Sequence, residues 1–199
     1  MSLTYTSHNL FPSKIVTSRD EKFFYRDDLI EWMYNYRKND TTGGVVVSNI
    51  YGYQSEGNFY KKDDSFKPFM EEIWSHITST IDRYGEGIEL GECISNGYKI
   101  LLKNIWFNIN PPKAYNHVHI HPGCLLSGVL WVKTQADCGD LILRDPLEMN
   151  SYCLGENGRG FVPADGVMLL FPAHIPHNVV HNLSKEDRIS ISFNLDLIS

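Results

Sequence analysis

The sequence predicts a mainly β fold, a sandwich, jelly roll or barrel, with helices packed on one outer face. Three observations predict it. From about residue 87 the chain breaks into short runs of β-forming residues separated by Gly and Pro. The last run, Arg188 to Leu195, alternates cleanly: Ile189, Ile191 and Phe193 face one way, and Arg188, Ser190, Ser192 and Asn194 the other. Both helix-period segments come before these strands, an order that places helices on one side of a sheet.

The elements follow in chain order. Residues 9–18 read as a short extended segment interrupted by Pro12. Arg26 to Lys38 carries Leu29, Ile30, Met33 and Tyr34 at helical spacing, with Asp27 and Asp28 in the first turn. Val45 to Ile50 reads as a strand, and Tyr51 to Asp64 as a long polar and aromatic loop that covers something. Ser65 to Tyr84 is the clearest helix, capped by Ser65, striped by Phe69, Met70, Ile73, Trp74, Ile77 and Ile81, and stopped by Gly85. The β runs then include 98–110, 125–133, 140–144, 167–171, 177–181 and 188–195.

Composition excludes several function classes. The 199 residues carry a net charge of -6, which argues against a general nucleic-acid binder. No apolar run reaches membrane-spanning length, and the N-terminus lacks a basic stretch followed by an apolar one, so a cytoplasmic protein is expected. Cys93, Cys124, Cys138 and Cys153 are scattered without a Cys-x-x-Cys pair, which predicts reduced thiols. Jelly rolls often pair through sheet edges, which leaves a homodimer open.

Histidine is unevenly placed. His117, His119 and His121 alternate before Pro122-Gly123, so in an extended chain all three would point the same way. His174, His177 and His181 form a second group about sixty residues later. Imidazole is the commonest protein ligand for Zn, Fe, Cu and Ni, and two neighbouring ligands plus a distant histidine suit a facial metal site with open positions. Arg188 heads the last strand on its polar face. Inside a barrel it needs an anion, and its planar fork suits a carboxylate; on the surface it would pair with Glu186 or Asp187.

An ordered series of short motifs runs from about residue 10 to the end: Leu10-Phe-Pro-Ser-Lys-Ile15, Trp106-Phe-Asn-Ile-Asn110, His119-Ile-His-Pro-Gly123, Leu126-Ser-Gly-Val129, Gly139-Asp-Leu141, Arg144-Asp-Pro146, Leu170-Phe-Pro172 with His177, and Arg188 to Asn194. The series resembles the 2-oxoglutarate and Fe(II)-dependent oxygenases, most closely a bacterial and phage group. The resemblance implies a double-stranded β-helix, a cupin-like jelly roll, in a single domain over 1–199 with a helical elaboration over about 1–86 and the jelly-roll core over 87–199. It implies that His119, His121 and His177 hold Fe(II), that Arg188 with Ser190 takes the distal carboxylate of 2-oxoglutarate, and that Trp131 stands where related hydroxylases have a tyrosine. The expected activity is hydroxylation of a small-molecule or protein substrate with O2.

One departure matters. The wider family has Asp or Glu where this chain has His121, so the ligand set loses its carboxylate. His117, Asp137, Asp140 or Asp145 are candidate replacements, and His174 and His181 are expected to be structural or to support the ligands. The change opens two other readings: a three-histidine cupin-type dioxygenase that does not use 2-oxoglutarate, and a non-enzymatic metal- or sugar-binding jelly roll. Tyr51 to Asp64 and Asn150 to Gly160 are candidate substrate lids.

Overall fold

The computed structural model describes residues 13–21, 26–146 and 158–199. Its elements are β1 (Val16–Arg19), α1 (Arg26–Asn39), β2 (Asn49–Ile50), β3 (Tyr53–Gln54), α2 (Lys67–Gly85), α3 (Glu89–Ser95), β4 (Lys99–Asn110), β5 (Tyr115–His119), β6 (Leu126–Lys133), β7 (Leu141–Arg144), β8 (Gly158–Phe161), β9 (Val167–Pro172), β10 (His177–Val179) and β11 (Arg188–Ile198). They build two antiparallel sheets, one of six strands in the order β1-β9-β6-β11-β4-β3 and one of five in the order β2-β5-β10-β7-β8. The arrangement is the expected mainly β jelly roll with helices.

The alternation of the central strands divides the molecule. On β4 and β11, Ile105, Phe107, Ile109, Ile189, Ile191 and Phe193 are fully buried in one large cluster with Leu29 and Met33 of α1 and Ile73, Ile77 and Ile81 of α2. Phe107 meets Phe59 at 5.1 Å between ring centres, nearly perpendicular, and Trp32, Tyr36 and Phe66 complete the aromatic group. A second, smaller cluster between the sheets comprises Trp131, Leu141, Leu143, Leu169, Phe171 and Ile175. The main core therefore lies between the larger sheet and the helices. The opposite faces of β4 and β11 are left polar.

Several local expectations need correction. α2 starts at Lys67, with Pro68 in its first turn, so Ser65 is not its cap. Pro lacks the N–H that a helix interior needs and is preferred at this position. Ser65 lies in a preceding 3-10 turn, where its N–H donates to Asp63 and its hydroxyl accepts from the Trp32 indole. Gly85 is the last residue of α2, and α3 follows where only β texture was expected. Only Asn49 and Ile50 of the 45–50 run pair as a strand. The Asn49 side chain accepts the Val47 N–H at 3.0 Å, a local bond that competes with ladder pairing. The 51–64 stretch is not a free lid: Tyr53 and Phe59 belong to the core, and Gln54 pairs with Asn108. The other lid candidate, 150–160, lies mostly outside the described residues.

Candidate active site

The inner face of the larger sheet is a grid of polar residues set by register. Asn110 lies opposite Arg188, Asn108 opposite Ser190, Trp106 opposite Ser192 and Asn104 opposite Asn194. One strand further, Trp131, Val129 and Ser127 stand opposite Ser190, Ser192 and Asn194. This grid floors a cavity of about 360 Å³, whose other walls include His119, His177 and Asn116 of the smaller sheet and, at its rim, Val45, Val47 and Ile120. Among the described residues no Asp, Glu or Lys lines it, and Arg188 is the one permanent charge.

His119, His121 and His177 converge, with one ring nitrogen of each within 4.8 Å of the others. Two local devices fix them. His177 of β10 lies opposite His119 of β5 in the ladder. Both rings are then oriented by backbone carbonyls, His119 Nδ1 donating to His117 at 2.8 Å and His177 Nδ1 to Ile175 at 2.9 Å. Such bonds fix the tautomer and leave Nε2 as a bare lone pair. His121 Nε2 lies 3.2 Å from His177 Nε2, and its Nδ1 lies 3.5 Å from the Asn194 amide nitrogen.

His117 does not join them. The β5–β10 register shifts between the pairs His177–His119 and Val179–Asn116, so β5 has an extra residue there. A bulge of this kind re-aims side chains. It brings both Asn116 and His119 onto the cavity wall and leaves His117 exposed. His174 and His181 are exposed too, His181 lying against Tyr115 at 4.3 Å. Among the described residues no carboxylate enters the cluster, and Asp137, Asp140 and Asp145 stand outside it.

Arg188 is 2% exposed. One of its terminal nitrogens donates to Cys138 O at 2.7 Å and Gly139 O at 2.9 Å. Burial pushes its pKa down to about 10, so it stays charged near neutrality. The surface pairing with Glu186 or Asp187 does not occur: Glu186 pairs with Lys133, and Asp187 accepts from Tyr34. Among the described residues no carboxylate forms an ion pair with Arg188. Gly139 is required beside it: φ is +96°, and a Cβ would lie 2.8 Å from the guanidinium and closer still to Val180 O. Ser190 and Trp131 face each other across β11 and β6 and line the same cavity.

Residues 104–194 match a family described as "Putative 2OG-Fe(II) oxygenase". These residues form a 2OG-Fe(II) oxygenase domain. The match spans β4 to β11 and includes the three converging histidines and Arg188. The oxygenase has no match among curated proteins. Similar solved structures include a prolyl hydroxylase from Trichoplax adhaerens in complex with a hypoxia inducible factor peptide fragment, at 15% identity and TM-score 0.62, covering 92% of this chain and 83% of that one. AviO1 from Streptomyces viridochromogenes matches at 10% identity and TM-score 0.62, covering 92% and 90%. HygX from Streptomyces hygroscopicus, with nickel and 2-oxoglutarate bound, matches at 8% identity and TM-score 0.62, covering 92% and 82%. At such identities the likeness is one of fold. Enzymes of the family use Fe(II) and 2-oxoglutarate.

The donor set suits such an ion. Burial pushes all three imidazoles down, His121 to about 4 and His177 to about 3, with neighbouring imidazoles adding to it at those two, so each ring is neutral at neutral pH and keeps one nitrogen free of a proton. Burial also lowers His76. An unfolded histidine titrates near about 6.5. Below that pH the unfolded chain binds protons that the fold refuses, so acid favours unfolding. The urea midpoint of the chelator-treated oxygenase is expected to fall steadily from pH 7 to pH 5. A flat midpoint over that window would contradict these burial effects.

The β4 half of the polar grid, Asn116 and Ser48 of the oxygenase were not anticipated. The grid had a visible signal, since Asn104, Trp106, Asn108 and Asn110 repeat with period two. Ser48 had none. No helix among the described residues is long and apolar enough to cross a membrane.

Proposed function

We propose that His119, His121 and His177 hold the Fe(II), that Arg188 with Ser190 and Trp131 receives the distal carboxylate of 2-oxoglutarate, and that the enzyme hydroxylates a substrate admitted to the same cavity. The observation that carries this reading is Arg188: a buried guanidinium without a carboxylate partner among the described residues, facing the cavity that the three histidines also face. When bound, the ion and 2-oxoglutarate supply the activation of O2, coupled to decarboxylation of the co-substrate.

The chain's own contribution is positioning. The carbonyls of His117 and Ile175 hold two ligand rings. The carbonyls of Cys138 and Gly139 hold the guanidinium, and among the described residues its remaining donors are left for a carboxylate. Three neutral imidazoles leave the ion its full charge, which favours an anionic co-ligand. With Arg188 committed to 2-oxoglutarate, no charged side chain among the described residues remains on the wall. A charged substrate group would lose its hydration without compensation, so the part of the substrate that enters is neutral. The free thiols Cys93, Cys124 and Cys138 suit a cytoplasmic enzyme.

The test is an anaerobic titration of the Fe(II) protein with 2-oxoglutarate, following the visible charge-transfer band of the chelate. A saturable band in wild type that disappears in His177→Ala is expected. Iron uptake without a band would favour the three-histidine dioxygenase, for which the absence of a carboxylate among the described residues of the cluster speaks. No iron uptake would refute the ligand assignment.

A further inference from the structure

Ser48 belongs to a strap, residues 45–48, at the cavity rim. Among the described residues the strap is tied at its ends, where the Val45 N–H donates to Gln54 O and Ser48 O accepts the His117 N–H, and by one local bond from the Val47 N–H to the Asn49 side chain. Between them Val46 and Val47 are 79% and 71% exposed, and Val46 makes no backbone hydrogen bond among the described residues. Ser48 itself is buried, and its Oγ lies 3.5 Å from His119 Nε2 and 3.1 Å from the Asn116 amide nitrogen.

The direction of these bonds is determined. His119 Nδ1–H donates to the His117 carbonyl, so Nε2 is an acceptor. Ser48 must therefore be the donor to it. With its one proton so used, Ser48 Oγ accepts from Asn116, and the Asn116 oxygen in turn accepts from Asn110 at 3.4 Å. Gly52 leaves room for the Asn110 side chain, whose oxygen a Cβ there would meet at 2.4 Å. A chain of donors thus runs from Asn110, beside Arg188, to the bare nitrogen of His119, and ends on the Ser48 proton.

A metal ion would consume the His119 lone pair. The Ser48 proton would then lack its acceptor in a buried place, while Asn116 still blocks its other direction. An unmatched buried donor is costly, and an anionic oxygen is its best partner. We propose that Ser48 is a co-substrate-binding residue, which donates to an oxygen of 2-oxoglutarate once the ion is in place and so ties the strap to the filled site. This rests on the ligand and Arg188 assignments above.

The experiment uses the full chain loaded with Ni(II), which avoids turnover, and 2-oxoglutarate titrated by calorimetry. Ser48→Ala is expected to bind 2-oxoglutarate about tenfold more weakly, Ser48→Thr within about threefold of wild type, and both to bind Ni(II) as wild type does. In parallel, hydrogen exchange of the wild-type strap amides is expected to slow when 2-oxoglutarate joins Ni(II), a measurement that needs no variant. Unchanged 2-oxoglutarate affinity in Ser48→Ala, loss of Ni(II) by that variant, or strap exchange indifferent to 2-oxoglutarate would each overturn the role of Ser48 while leaving the site assignment standing. A wild-type protein that takes up Ni(II) but no 2-oxoglutarate would overturn both.

Discussion

Arg188→Met is expected to lose 2-oxoglutarate binding by about 100- to 1,000-fold while the metal-free fold stays within about 2 kcal/mol of wild type. The two effects separate because the guanidinium is buried against carbonyls and not against an acid. Removing it strips Cys138 O and Gly139 O of a donor, at about 1–3 kcal/mol. It also relieves the fold of a desolvated charge, and apolar replacements of buried ionic groups are often neutral or stabilising by about 1–4 kcal/mol. The terms are of similar size and opposite sign. The co-substrate has no such compensation, since the described residues of the cavity offer its carboxylate no other permanent cation. Calorimetric titration of the Ni(II) form, together with urea unfolding of the metal-free form, measures both halves. A variant that still binds 2-oxoglutarate within tenfold of wild type would reduce Arg188 to a structural role.

Phe107→Ala is expected to be the most damaging single truncation of the core, at about 3–5 kcal/mol. Phe107 is fully buried in the C-terminal half of β4, where Trp32, Tyr36, Tyr53 and Phe59 surround its ring. These rings come from α1, β3 and the turn after it, so no single element can move in to fill the space. Domains of this size are stable by only about 5–15 kcal/mol, so the loss is a large fraction of the total. Urea unfolding checks it, and a change below about 1.5 kcal/mol would mean that the aromatic group repacks.

The β11 strand was legible because its side-chain period stays in phase from Arg188 to Leu195, and both faces landed as the alternation required. The helix of 26–38 was legible from its apolar spacing and differs by one residue at its end. The place of His117 was not legible, because strict alternation carries the phase of His119 and His121 back through a place where β5 has an extra residue. No single-sequence pattern marks that insertion, which exists only relative to the partner strand. Ser48 was missed for a related reason: it reaches His119 through a two-residue pairing of β2 with β5, too short to leave a periodic trace. Val45 to Val47 looked like a strand by propensity, but the Asn49 side chain bonds the backbone locally and ends the pairing.

The separation of the main core from the cavity has a consequence for how this chain can change. On β4 and β11 the residues that hold the fold together and the residues that line the cavity are interleaved in sequence but look out on different surroundings. Asn104, Trp106, Ser192 or Val129 can drift without opening a hole in the helix-backed core, so new ligand preferences can be sampled at little risk of unfolding. Ile105, Phe107, Ile191 and Phe193, each one position away, have no such latitude. A mutational scan along either strand should alternate, residue by residue, between losses of protein and changes of what the protein accepts.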